Sequence, residues 1–174
     1  PETLAPRFAD VRRDEAAGIV ATALLRGDGW LTTEETAALF SCYHLPLIEQ
    51  QIVATEAEAG AAAEQLGGNV ALKVIAPGVI HKTESHGVSL NLLGAKQVSD
   101  AAREMTAGLA KSGSAPTGFL VQRMADPGIE MLVGVVHDPQ FGPVVACGAG
   151  GVQVELLRDV SVRLTPLSRE DATE

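Results

Sequence analysis

Lysine and histidine crowd one short stretch, VALKVIAPGVIHKTESHGVSL, from Val70 to Leu90: Lys73, His81, Lys82 and His86. In an extended strand Ala71, Lys73 and Ile75 share one face, and Leu72, Val74 and Ala76 share the other. A lysine flanked by apolar neighbours on its own face is costly unless its head reaches water or an anion. Two readings follow. Lys73 either snorkels outward from an edge strand or serves as a point charge aimed at a phosphate. His81 and Lys82 follow a Pro-Gly turn. They therefore lie on a loop leaving the strand of Lys73, where functional groups concentrate. An imidazole there can move protons, bind a metal, accept a phosphoryl group or simply face solvent. The His81/His86 spacing is a poor zinc signature.

Two further segments could do chemistry. The run Gly148–Gly151, GAGG, can bring backbone N–H groups close to an anion, or it can be an ordinary loop. It is not a Walker A motif, because no GK[ST] follows. Glu130 opens a strand-like run whose opposite face carries Ile129, Met131, Val133 and Val135. Its carboxylate could accept a ribose hydroxyl or face water.

These groups need a scaffold, and the composition restricts which. The 174 residues are 46% hydrophobic but only 3% aromatic, so the core must be built from Ala, Val, Leu and Ile. A net charge of −9 argues against a phosphate-backbone partner, which needs a basic face. Cys42 and Cys147 are far apart and read as reduced thiols, consistent with a cytoplasmic protein. No apolar run approaches the roughly 18 residues of a membrane span, and the N-terminal segment has no signal-peptide core.

Residues 1–11 read as a linker or the tail of an upstream region, with Pro1 and Pro6 against a packed element. Helical spacing from Arg12 ends at Gly27. Thr32 with Glu35, and Thr55 with Glu58, carry the capping-box spacing ahead of two further helices. The first should stop near Tyr43, ahead of Pro46. Strands are expected at LPLIEQQIV, NVALKVIA, GVSLNLL and GFLVQRM. A helix from Ser99 with Ala102, Met105 and Leu109 on one face should end at Gly113. IEMLVGVVHDPQFGPVVAC reads as a hairpin, and VQVELLRDVSVRLTPL is ambiguous. The predicted order is helix, helix, β-α-β-β-α-β-β-β. It implies an α/β (α+β) fold, with a mixed sheet and helices mainly on one face.

Taken in order, LTTEETAALFSCYHLPL, VALKVIAPGVIHKTESHGV, FLVQRM and GIEMLVGVVHDPQFGPVVACGAGGVQVELLRDVSVRLTPL resemble the ATP-grasp portion of ADP-forming acyl-CoA (acetyl-CoA) synthetases, relatives of the succinyl-CoA synthetase β subunit. The resemblance runs from about Phe8 to the C-terminus. It implies that Lys73 contacts nucleotide phosphates and that Gln122, Arg123 and Met124 line the adenine slot. Glu130 becomes a nucleotide- or phosphate-site candidate, and His81 matches the histidine proposed to carry a phosphoryl group between distant sites. The reaction implied converts acyl-CoA, ADP and phosphate into acid, CoA and ATP through an acyl phosphate and a phosphohistidine. In the family the principal phosphohistidine lies on another domain.

Residues 12–174 then form a partial ATP-grasp domain, its first subdomain, without the second lobe. The implied cofactors are ATP/ADP, Mg²⁺ with its ligands largely outside this chain, and CoA held by a CoA-binding domain or subunit of the same enzyme. The alternative is a non-catalytic, ligand-sensing module of a multidomain protein such as an acetyltransferase fusion. Three positions depart from the family pattern: Glu84 stands in for an aspartate, and His86 and His44 stand where relatives carry glycine.

Overall fold

A computed structural model describes residues 8–27, 29–76, 87–111, 113–151 and 160–173. The chain divides into two compact units, one formed by Pro1–His44 with Pro127–Glu174 and the other by Leu45–Asp126.

The first unit opens with a helical hairpin. Helix α1 (Arg13–Arg26) ends at Gly27, left-handed at φ 78°. Helix α2 (Thr33–Cys42) begins with the capping box: Thr32 Oγ1 accepts from the Glu35 N–H, while the Glu35 carboxylate accepts from the Thr32 N–H. It ends at Tyr43, as the downstream proline predicts. The chain before α1 satisfies the C-terminus of α2, since the Arg12 N–H donates to the Cys42 carbonyl. His44 sits in the left-handed region at φ 54°, the conformation that favours glycine just past a helix end. Its Nε2 lies 2.9 Å from the Asp10 carbonyl oxygen.

The second unit carries the sheet of interest. Its elements are β1 (Gln50–Val53), α3 (Glu56–Leu66), β2 (Asn69–Ile75), β3 (Val88–Leu93), α4 (Gly94–Lys111) and β4 (Gly118–Arg123). The strand order is β1-β4-β2-β3, and every pairing is antiparallel. The α/β class and the one-sided helices stand, but the expected mixed sheet is antiparallel throughout the described residues. The reason is topological. β1 and β2 run parallel, as do β3 and β4, but in each case another strand lies between the two. Two split βαβ units are thus interleaved. Right-handed crossovers running in opposite directions set both helices on one face.

That face is the core. Val70, Leu72, Val74, Phe119 and Val121 meet Ala59, Ala62, Ala63, Val98, Ala102, Met105 and Leu109 from the helices. The seam between α3 and α4 is tight at Gly60, where an added Cβ would meet the Ala95 carbonyl oxygen at 2.9 Å. Two element boundaries differ from the sequence expectation, and one strand is added. β1 starts only at Gln50: Glu49 still accepts the Arg123 N–H, but β4 ends at Arg123 and has no partner for the residues before Glu49. α4 starts at Gly94, not near Ser99: Gln97 Oε1 accepts the Leu93 N–H at the turn, and Ser99 Oγ instead donates to the Glu56 carbonyl of α3. A seventh strand appears within the ambiguous C-terminal segment.

That strand belongs to the first unit's antiparallel sheet, β5-β6-β7, built from β5 (Met131–Asp138), β6 (Gly142–Ala149) and β7 (Val160–Leu164). The β5–β6 turn is the expected one. Asp138 Oδ1 accepts from the N–H groups of Gln140 and Phe141 at 2.8 and 2.9 Å.

Candidate functional site

With Val70, Leu72 and Val74 committed to the helices, Ala71, Lys73 and Ile75 point to the other face of the sheet. The helix-free face therefore carries one charged group in the middle of a central strand, and β3 and β4 flank it. Lys73 is consequently not the edge-strand lysine of the bland reading.

Its partners come from β4 and β1. Gln122 lies directly across from Ala71 on one side and Gln50 on the other, so Lys73 is its diagonal neighbour, within reach of a long side chain. Lys73 Nζ donates to Gln122 Oε1 at 2.8 Å. Gln122 Nε2 donates to Gln50 Oε1 at 2.9 Å. Both bonds are partly buried. The result is a polar ladder of Lys73, Gln122 and Gln50 crossing three strands, with Leu120 and Ile52 on the same face. Lys73 and Gln122, proposed separately from the sequence, are brought together.

Arg123 and Met124 continue from Gln122 at the end of β4. The Arg123 N–H donates to the Glu49 carbonyl at 2.9 Å, and its exposed guanidinium pairs with the Glu49 carboxylate at 3.3 Å. The Met124 N–H donates to the Asn69 carbonyl at 2.9 Å. Both backbone N–H groups at this strand end are thus already engaged. His81, Lys82 and His86 lie outside the described residues.

Glu130 belongs to the other unit and is exposed, one residue ahead of β5. Its carbonyl accepts the Gly150 N–H at 2.7 Å, so that amide is not available to an anion. Its side chain lies against the glycine run: a Cβ at Gly151, where φ is 75°, would stand 2.7 Å from the Glu130 Oε2. The two glycines let the carboxylate fold over the end of β6. One face of this sheet also opens into a cleft of about 630 Å³, lined among others by Met131, Val133, Cys147, Arg163 and Asp171. The Ser168 hydroxyl beside Asp171 holds its carboxyl below the usual range.

Gln50 is the site residue that sequence reading missed. It sits inside a segment read as strand, but only the pairing of β1 with β4 reveals its face and partner. Among the described residues no group of three or more His, Cys, Asp or Glu side chains is placed to hold a metal ion. Among them, too, no helix is long and apolar enough to cross a membrane.

An antiparallel sheet with its helices on one face, in an α/β chain of this kind, matches the ATP-grasp class of fold. The family model described as the ATP-grasp domain matches residues 22–174, and the chain belongs to that family. The chain is similar to acetate–CoA ligase (ADP-forming) I of Archaeoglobus fulgidus, 38% identical over 168 residues, which cover 94% of this chain and 24% of the relative. Subunit beta of acetate–CoA ligase (ADP-forming) II from Pyrococcus furiosus is 32% identical over 162 residues, covering 92% of this chain and 69% of the subunit. A solved chain of acetyl-coenzyme A synthetase 1 from Ca. Korarchaeum cryptofilum, in complex with coenzyme A and Ca-AMPCP, superposes with a TM-score of 0.81. It is 37% identical and covers 91% of this chain and 70% of that one. The chain thus spans 24% of the first relative's length and about two thirds of the separate β subunit.

Proposed function

We propose that the chain is the nucleotide-binding part of an NDP-forming acyl-CoA synthetase, working with a CoA-binding domain or subunit. The observation that carries the reading is the ammonium of Lys73, partly buried on the sheet face opposite the helices and hydrogen-bonded to Gln122. A flexible ammonium is a point charge suited to a phosphate chain. Its siting on a central strand, oriented by Gln122, prepares it before ligand arrives, so little reorganisation accompanies binding. The relatives named above are synthetases and synthetase subunits, which favours the catalytic reading over the sensing one.

In this proposal Lys73 holds the nucleotide phosphates, and Gln122, Arg123 and Met124 border the base. Glu130, in the other unit, is proposed separately as a nucleotide- or phosphate-site residue whose carboxylate could accept a ribose hydroxyl, from its place over the Gly150–Gly151 backbone. His81 is proposed as the phosphoryl carrier on its place in the HKTESHGV segment alone. Phosphate would displace CoA from acyl-CoA to give an acyl phosphate, the phosphoryl group would pass to an imidazole with release of the acid, and ADP would then take it to form ATP.

The test is Lys73→Ala in the enzyme assayed together with its CoA-binding partner. Losing a charge-assisted hydrogen bond should raise the apparent KM for ADP by about ten- to a hundredfold. The constants for CoA and the carboxylate should move far less. An unchanged KM for ADP would return Lys73 to a packing role and remove the main support for this reading.

A further inference from the structure

We infer that Gln50 is a positioning residue for the nucleotide site: it sets the direction of the Gln122 amide, and through it the location of the Lys73 ammonium. The inference rests on the nucleotide reading of Lys73 for its consequence, but not for its geometry.

A glutamine amide has two unlike ends, an oxygen that only accepts and an NH₂ that only donates. An ammonium only donates. Lys73 can therefore be met only by the oxygen of Gln122, and the 2.8 Å bond runs that way. That leaves the Gln122 NH₂ directed along the ladder to β1, where it needs an acceptor in a partly buried setting. Gln50 Oε1 supplies one at 2.9 Å. Remove that acceptor and the amide NH₂ is left unsatisfied in its present orientation. Turning the amide over would set its NH₂ against the ammonium, two donors face to face. Either outcome loosens the Gln122 acceptor of Lys73, and a partly buried amide donor without a partner is costly. The pairing register supports this division of labour. Gln50 and Gln122 are directly opposite one another, so their contact is held by the backbone ladder, whereas Lys73 reaches Gln122 diagonally. Gln50 itself is half-buried on an edge strand and its side chain bonds to Gln122, so its influence on the ammonium passes through Gln122.

Two readouts test this in the intact enzyme, with thermal unfolding checked for each variant. The first is independent of any ligand: the rate at which an amine-acylating reagent modifies Lys73, followed by mass spectrometry. Gln50→Leu should speed it several-fold, whereas Gln50→Glu, which retains an acceptor for the Gln122 NH₂, should recover most of the protection. The second is kinetic: Gln50→Leu should raise the KM for ADP by about three- to tenfold, the scale of one ordinary hydrogen bond, with kcat changed little. In a Gln122→Leu background, Gln50→Leu should add nothing to either readout.

If Lys73→Ala raises the KM for ADP but Gln50→Leu changes neither that constant nor the labelling of Lys73, the positioning role is wrong and the nucleotide reading survives. If Gln50→Leu speeds labelling while Lys73→Ala leaves the KM for ADP unchanged, the ladder is real and the nucleotide reading fails. Equal, additive effects of Gln50→Leu with and without Gln122 would also overturn the relay.

Discussion

At the scale of single residues, charge and hydrogen bonding decide what each group does. Glu35 shows the clearest electrostatic shift among the described residues. Hydrogen bonds from the Arg26 guanidinium, one of them 2.7 Å, and from the Thr32 N–H hold its carboxyl at about 2, down from an ordinary value of 4.5. The folded value is the lower one, so the ion pair and cap stabilise fully above about 4.5. That contribution is lost as the pH falls from 4.5 through about 2. A carboxyl-detected NMR titration should find Glu35 ionised at pH 3.5, where an unperturbed glutamate is mostly protonated. An ordinary midpoint would show that the Arg26–Glu35 contact does not form in solution. His44 illustrates another residue-scale compromise. It accepts a left-handed backbone where glycine would be free of strain, and its ring reaches back to Asp10.

Elements are held by their ends and their buried stripes. α3 depends on the cap at Thr55, whose hydroxyl accepts the Glu58 N–H at 3.2 Å. The Glu58 carboxylate in turn accepts the N–H groups of Ala54 and Thr55 at 2.9 and 3.0 Å. Those backbone donors keep the Glu58 carboxyl below its usual range. Thr55→Ala should cost about 0.5–2 kcal/mol in urea unfolding; no measurable loss would mean that packing of the small-residue face of α3 holds its N-terminus without the cap. α4 relies on burial of Val98, Ala101, Ala102, Met105 and Leu109 along one stripe. Its many exposed positions carry local pairs such as Lys96–Asp100, which hold Asp100 ionised but contribute little to stability.

At the scale of the molecule, the two compact units differ in how they satisfy their apolar residues. The Leu45–Asp126 unit encloses a core with fully buried Val70, Leu72, Val74 and Phe119. Leu72 sits at its centre, and Leu72→Ala should destabilise that unit by about 2–5 kcal/mol, transfer and cavity terms together. Native-state hydrogen exchange at the β4 amides is the measurement, since they report the opening of this sheet. Protection unchanged to within about 1 kcal/mol would mean that the site collapses around the smaller side chain. In the other unit, by contrast, Met131, Val133 and Val135 on β5 are well exposed, as are Leu132 and Val136 on its other face.

What the sequence determined by itself was mostly local. Both capping boxes, the Gly27 and Gly113 stops, the buried stripe of α4 and the Asp138 turn were legible because the contacts that make them span a few residues. The split of Lys73 from Leu72 and Val74 was legible too, because strand alternation is geometric. Only the tertiary structure decided that β4 lies between β1 and β2, that the sheet is antiparallel and that α4 begins at Gly94. The same holds for the ladder of Lys73, Gln122 and Gln50, whose bonds join residues 49 and 72 positions apart. Pairing over such separations is set by which apolar faces can be buried together, a property of the whole core that no local window contains.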